Sequence, residues 1–574
     1  MYILGINCYH NDSSVALIKN GQILNAITEE RLNRRKHSSD FPLKSLSVIL
    51  EANKITLNDI SYITLNSNLK ITFRRFIFFL KNFSIHFAKS SFKRFKDKKN
   101  IISIFKKNFS CDISDKVSYI DHHLSHMNSA FLISNFDESL NVSIDGFGDF
   151  KSSSFGVSKN NSTKIYGSIY FPHSLGIFYQ SLTQFVGFKN YGDEYKLMGL
   201  SAYGTNKYVN KLSNLLKYKN LKYYLNLKYF QHHKRDMVQY DDTGDIFYKD
   251  LYTKDLEELI GMKSREKFEF SQDIADLSKS TQTVYEEILF NYLNNLQKKY
   301  DQVNLCLSGG CALNSLANGK IKKNTKFKKI FIPYEPSDGG GSIGSALTKY
   351  YEIKNSEKKI FQPSPYLGIS FKLEDIKKFL NEKKNKDKII LEEFTDPQKL
   401  CFKIATEISN NKIISWFRGK MEFGQRALGN RSILMDARNK NAKEILNSKV
   451  KLRENFRPFA PSILMEEAKN WFENYESAEY MTFVYKILED KRKIIPAVCH
   501  VDGTGRLQTV SKSLNPMYHK LINEYYKLTK VPLIINTSFN ENEPIVNTPE
   551  EAYNTFMRTN LDLLVIENFI IKKS

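Results

Sequence analysis

The sequence predicts a two-domain α/β protein, and three features predict it. Strand-like runs end repeatedly in polar or glycine-rich turns, as in "YILGIN" before "CYHNDSS", "NVSID" before "GFGD", "VNLCLS" before "GGCALN" and "KIFIPYE" before "PSDGGGSIG". Helical patterns follow the last two, the succession expected of a fold that binds its ligand at the carboxyl ends of its strands. The polar, proline-bearing stretch "IKNSEKKIFQPSPYLG" then sets a boundary near residue 360, which gives a first domain over 1–355 and a second over 366–574.

The first strand leads through the polar loop "HNDSS" into a hairpin, "VALIKNGQILNAIT", whose Asn20-Gly21 pair is a two-residue turn. Further along, "DHHLSH" (121–126) places three of the chain's eleven histidines in six positions. His122 and His126 are four apart and fall on one helical face, a spacing that suits two imidazoles on one metal ion or a polar cluster at a helix start. Asp145, at the end of "NVSID", and Asp338, before three glycines, are acids at strand ends where the backbone turns tightly. Two His and two Asp make a mixed N/O site suited to Fe(II), Mn(II) or Zn(II); each Asp read singly is a turn or cap residue. The stretches around Gly309, Gly310 and Asn314, and around 337–344, let backbone N–H groups approach phosphate oxygens. Neither matches a P-loop or a clean dinucleotide fingerprint, which leaves an actin/Hsp70-like nucleotide fold. No internal repeat is apparent.

In the second domain, cations gather over 418–457, among them Arg418, Arg426, Arg431, Lys449, Lys451 and Arg453. Arginine makes two-point contacts to phosphate or carboxylate and lysine supplies a point charge, so the mixture suits a polyphosphate and a small anion. Read as a strand, "KVKLR" projects Lys449, Lys451 and Arg453 from one face, which must be solvent or an anion site because three buried cations on a core face are intolerable. Ser538 and Asn540 in "NTSFN" add neutral donors to an ATP cleft.

Composition narrows the remaining classes. With 41% hydrophobic and 26% charged residues in 574, the chain is an ordinary globular protein. Six scattered cysteines without a CxxC pair indicate neither a disulfide framework nor a zinc ribbon, and no signal-peptide pattern or apolar run of membrane-spanning length is present, so a cytoplasmic location is expected. The formal charge of +23 invites a nucleic-acid reading. Its distribution weakens that reading, since 71–107 alone holds eleven Lys/Arg against one acid and no nucleic-acid motif accompanies it. That segment reads as a basic helical insertion solvated on one face, with peripheral membrane contact as its alternative use.

Taken together, "GINCYHNDSSVALIKNGQILNAITEERLNRRKH", "DHHLSH", "SIDGFGD", "LSGGCALNSLANGKI", "PSDGGGSIG", "GKMEFGQRALGNRSIL", "KVKLRENFRPFAPS", "HVDGTGRLQTV" and "NTSFNENEPIV" resemble, in order, the O-carbamoyltransferase family of nodulation proteins, cephalosporin carbamoyltransferases and tobramycin carbamoyltransferase. The resemblance spans nearly the whole chain except 71–107. It implies an N-terminal actin/Hsp70-like (ASKHA) domain related to tRNA threonylcarbamoyl transferases, and a C-terminal YrdC-like α/β domain. It further implies that the second domain makes carbamoyl adenylate from carbamoyl phosphate and ATP, with Mg²⁺ on the ATP, and that the first transfers the carbamoyl group to a hydroxyl of a sugar or natural-product acceptor. Carried over, the iron ligands fall on His122, His126, Asp145 and Asp338. His10 falls near the reacting group as a general base, and Lys449, Arg453, Arg418 and Arg506 fall on the phosphates. A threonylcarbamoyl-adenylate-dependent tRNA-modifying enzyme is the alternative; nucleic acid is otherwise not an expected partner, and a homo-oligomer is compatible.

Overall fold

The computed structural model describes residues 1–68, 96–234, 238–240, 246–358, 363–454 and 456–574. Most of the basic segment 71–107 lies outside the described residues; its end, with the helix Ile101–Phe109, lies within them. The chain divides into two compact units, Met1–Pro363 and Ser364–Ser574.

The first unit contains two five-stranded sheets of the same design. In one, the antiparallel strands Gln22–Thr28, Ser14–Lys19 and Tyr2–Asn7 are continued by the parallel strands Ile60–Leu65 and Val117–Tyr119. In the other, the antiparallel strands Ser162–Tyr170, Lys151–Lys159 and Glu138–Gly148 are continued by the parallel strands Asn304–Ser308 and Lys329–Phe331. Each half closes with a helix, His122–Phe131 in the first and Gly341–Lys354 in the second. The fold is therefore duplicated although the sequence displays no repeat, because a shared topology needs only matching apolar periodicity.

Local chemistry explains the boundaries. Asn20 (φ 50°) and Gly21 (φ 84°) both take positive φ, as a two-residue turn that follows the strand twist requires. Asp121 caps the helix His122–Phe131 by accepting from the Leu124 N–H at 3.1 Å. The two closing helices cross at Gly344, where a Cβ would stand 1.8 Å from the Ser125 carbonyl oxygen. Only glycine admits that approach.

The second unit is a nine-stranded mixed sheet in the order Ile390–Glu393, Phe569–Lys572, Leu563–Ile566, Ile414–Phe417, Arg431–Met435, Leu533–Ser538, Ala460–Leu464, Thr504–Val510, Phe483–Lys486. Three of its helices, Pro397–Ser409, Pro516–Thr529 and Pro549–Arg558, begin with proline behind Asp396, Asn515 or Thr548 caps. One expectation fails here. "KVKLR" is not a strand: the helix Ala442–Leu446 runs on into a widened π turn over Asn447–Lys451, which ends at Leu452 with φ 43°. Helical winding breaks the alternation, so Lys449 is exposed while Lys451 is buried.

Candidate functional site

The histidine pair and both acids meet at the junction of the two duplicated halves. His122 and His126 come from the closing helix of the first half, Asp145 from the first strand of the second, and Asp338 from the turn that opens the second closing helix. All four are buried. His126 Nε2 lies 3.0 Å from His122 Nε2 and 3.2 Å from Asp338 Oδ1, and His122 Nε2 lies 3.3 Å from Asp145 Oδ2. The remaining His–Asp separations are 3.4 and 3.6 Å. Ligands about 2.0–2.2 Å from a first-row divalent ion stand roughly 3.0–3.5 Å from one another, so the donor set fits such an ion. Among the described residues, a second group with metal-compatible spacing is Asp12, Glu30 and His37.

The surroundings hold this arrangement. Gly310 N–H donates to Asp145 Oδ1 at 2.9 Å, which leaves Oδ2 for the imidazoles. Asp149 Oδ2 accepts from the His122 backbone N–H at 2.9 Å. A Cβ on Gly148 would meet the His122 ring at 1.9 Å, so the strand end passes directly under the imidazole. Burial disfavours charge on His122, but the hydrogen bonds and charges of Asp145 and Asp338 outweigh it and raise the imidazole to about 10. Burial likewise pushes Asp145 up, and the two imidazoles reverse this and hold it well below the usual carboxylate range. A divalent cation satisfies the same two carboxylates and leaves both rings neutral, as ligation requires.

His123 is also fully buried, but its Nδ1 meets Ser143 Oγ at 2.9 Å, and desolvation together with the neighbouring imidazoles lowers it to about 3. His10 packs against His122 with ring centroids 4.6 Å apart and the planes tilted by 36°, and Lys98 Nζ lies 2.9 Å from its Nε2. Gly309, at φ 87°, donates to the Pro336 carbonyl at 2.7 Å. Asn314 caps the helix Ser315–Asn324 and pairs with Gln282. Gly310 and Asn314 are thus spent on Asp145 and on a helix start. The sequence reading missed Asp12, Glu30 and His37. His37 Nδ1 meets Asp12 Oδ1 at 2.8 Å; against its burial, that carboxylate raises the imidazole to about 9. Glu335, also missed, is buried and raised to about 8 by desolvation and by Asp12. None of these carries a motif spacing that marks it in one dimension.

In the second unit, the predicted cations separate into two kinds. Arg431 is fully buried, donates to the carbonyls of Arg418 and Gly419 at 2.8 and 3.1 Å, and lies 3.6 Å from the Phe417 ring. Lys451 donates to the Ser538 carbonyl and to both the carbonyl and side-chain oxygens of Asn540 at 2.5–2.7 Å. That corrects one expectation, since a buried cation is tolerated here because oxygens surround it; Ser538 and Asn540 accept from it while the Ser538 hydroxyl donates to Asn540 Oδ1. Arg418 bonds the Glu567 carbonyl at 2.6 Å, and Arg426 sits half-buried in the loop before Arg431. Arg453 donates to Asn447 at 2.9 Å. Its charge adds to burial in lowering Lys443, and Lys443 and Arg506 add to burial in lowering His500 to about 4. Arg453, Arg506, Lys443 and His500 therefore share one positive field; Lys443 belongs to the cation cluster read from the sequence, whereas His500 escaped that reading.

Comparison with known proteins gives this geometry its context. A family model described as the carbamoyltransferase N-terminus matches residues 2–347, and one described as the carbamoyltransferase C-terminus matches 405–573. The nodulation protein NolNO of Sinorhizobium fredii is 33% identical over 99% of this chain and 80% of its own length. Uncharacterised proteins of Synechocystis sp. and Methanocaldococcus jannaschii are 35% and 34% identical over 100% of this chain and 97% and 99% of their own. Among solved structures, HypF of T. kodakarensis covers 62% of this chain and 48% of its own at 12% identity and a TM-score of 0.32, too distant a likeness to carry an argument. With both family models matched in order and full-length relatives at one-third identity, the chain belongs to the carbamoyltransferase family and is a carbamoyl-transfer enzyme.

Proposed function

We propose that this enzyme is an ATP-dependent O-carbamoyltransferase with two reaction sites, a YrdC-like C-terminal unit that makes carbamoyl adenylate and an actin/Hsp70-like N-terminal unit that transfers the carbamoyl group to a hydroxyl of a sugar-containing acceptor. The observation that carries this reading is the buried His122, His126, Asp145 and Asp338 quartet at the junction of the duplicated sheets. Such a quartet is costly to bury unless it binds a cation, and the duplicated strand order supports the actin/Hsp70-like assignment.

In the C-terminal unit, carbamoyl phosphate loses phosphate to water, and the carbamate oxygen displaces pyrophosphate from the α-phosphorus of ATP. This chain's part is positioning and charge compensation. Arg453 and Arg506, with Lys443 and His500 in the same positive field, hold the phosphates; Arg418, Arg426 and the exposed Lys449 border them. Arg431, Lys451, Ser538 and Asn540 hold the loops in place. Mg²⁺ accompanies ATP.

In the N-terminal unit, His122, His126, Asp145 and Asp338 hold a divalent transition metal, with Fe(II) the assignment the donor set and the family favour. When bound, the metal supplies Lewis-acid polarisation of the carbamoyl oxygen. Gly310 and Asp149 keep the ligands aimed, and His10 packs its ring against His122 at the transfer site.

The test incubates the purified protein with ATP, labelled pyrophosphate and carbamoyl phosphate, against a parallel mixture of threonine and bicarbonate. Pyrophosphate exchange that needs carbamoyl phosphate is expected. Exchange seen only with threonine and bicarbonate would replace this reading with the tRNA-modification one.

A further inference from the structure

Lys98 belongs to the basic segment 71–107, which lies between the motifs that carry the sequence resemblance, yet it reaches the centre of the N-terminal unit. Its ammonium lies 2.9 Å from His10 Nε2 and also donates to the hydroxyl of the buried Ser67. Ser67 in turn donates to Asp149 Oδ1 at 3.0 Å, and Asp149 Oδ2 accepts the backbone N–H of His122 at 2.9 Å and of Asn68 at 2.7 Å. The Tyr119 hydroxyl, from the neighbouring edge strand, donates to the Lys98 carbonyl at 3.3 Å. Lys98 is thus tied to the residue that anchors the start of the His122 helix, and to the imidazole packed against His122.

An ammonium has three donors and no acceptor, so His10 Nε2 accepts and the proton of the neutral ring resides on Nδ1. We propose that Lys98 is a positioning residue of the transfer site: it fixes His10 as the Nδ1–H tautomer and brings the described end of the basic segment, from residue 96, to the catalytic apparatus. The proposal rests on the N-terminal unit being the site of carbamoyl transfer. Its consequence concerns the role of His10. With its Nε2 lone pair engaged by the ammonium, the ring takes no proton from the acceptor hydroxyl at that nitrogen, and so does not serve there as the general base the sequence suggests. As the acceptor oxygen bonds to the carbamoyl carbon, the bond from that carbon to the AMP phosphate oxygen breaks. AMP leaves with the electron pair, and the hydroxyl proton passes to its phosphate.

The experiment uses the full-length chain labelled with ¹⁵N-histidine, with His10→Asn to assign the His10 signals, and compares Lys98→Met and Lys98→Arg with the parent. In the parent and in Lys98→Arg, His10 Nε2 is expected as an unprotonated ring nitrogen; in Lys98→Met the proton redistributes to Nε2. AMP release from ATP and carbamoyl phosphate, with glycerol as the probe hydroxyl, is expected to fall in kcat by about 10- to 100-fold in Lys98→Met with KM for carbamoyl phosphate unchanged. Ethylammonium is expected to restore part of the loss in Lys98→Ala. An identical His10 tautomer in the parent and Lys98→Met overturns the proposal. So does a kcat loss that neither arginine nor ethylammonium relieves, which marks a merely structural lysine. A parent without carbamoyl-phosphate-dependent pyrophosphate exchange would instead remove the underlying reading, and the tautomer comparison would still decide the role of Lys98.

Discussion

At the residue scale, adjacent histidines in one helix have opposite fates. His122 and His126 face the two aspartates, whereas His123 faces Ser143. Replacing His122 or His126 with alanine is expected to abolish carbamoyl transfer and remove bound metal, measured by elemental analysis, while carbamoyl-dependent pyrophosphate exchange persists. His123→Ala opens a cavity and costs roughly 1–3 kcal/mol in denaturant titration, yet retains metal and transfer. His37 gives a pH prediction. Its folded-state pKa rises from 6.5 to about 9, so the stability it contributes is complete below pH 6.5 and is lost as pH rises through about 9. Relative to His37→Gln, the parent protein is expected to lose at most about 3 kcal/mol of stability over that window. Parallel curves for the two proteins would show that the pair contributes nothing.

At the scale of elements, close backbone approach and buried charge do the positioning. The two closing helices meet at Gly344 against the carbonyl of Ser125, the residue before His126. Gly344→Ala must push them apart, and a cost of about 1–3 kcal/mol with weakened metal retention is expected from thermal melts and metal analysis. In the second unit, the π turn Asn447–Lys451 delivers Lys451 to the loop after the strand Leu533–Ser538. Lys451→Met removes a charged donor from the Asn540 carbonyl, from the Ser538 carbonyl, which keeps the Asn540 N–H, and from Asn540 Oδ1, which keeps the Ser538 hydroxyl. Denaturant titration should show a loss of roughly 3 kcal/mol, and pyrophosphate exchange should fall with it.

At the scale of the whole molecule, each unit has its own sheets and its own core. Ligand binding stabilises only the folded state that holds the site. Chelation is therefore expected to lower the unfolding transition of the N-terminal unit and abolish transfer, while the C-terminal transition and pyrophosphate exchange stay where they were. A single transition that moves as a whole on chelation would mean that the units unfold together. No helix among the described residues is long and apolar enough to cross a membrane.

The sequence by itself determined the class of the fold, the strand–turn–helix order and the family, because alternating and helical apolar periods, Asn-Gly turns and long motifs are local properties of the chain. It also made the His122 and His126 pair legible, since spacing of four specifies one helical face. Which way "KVKLR" winds was not legible: alternation by two is a strand signal only if the backbone is extended, and the preceding helix overrides it. Nor were the contacts of Lys98, His37 and Glu335 with partners up to hundreds of positions away, or the duplication of the sheets. Only the tertiary structure decided those, because burial and charge pairing depend on which distant residues the topology brings within a few ångströms of one another.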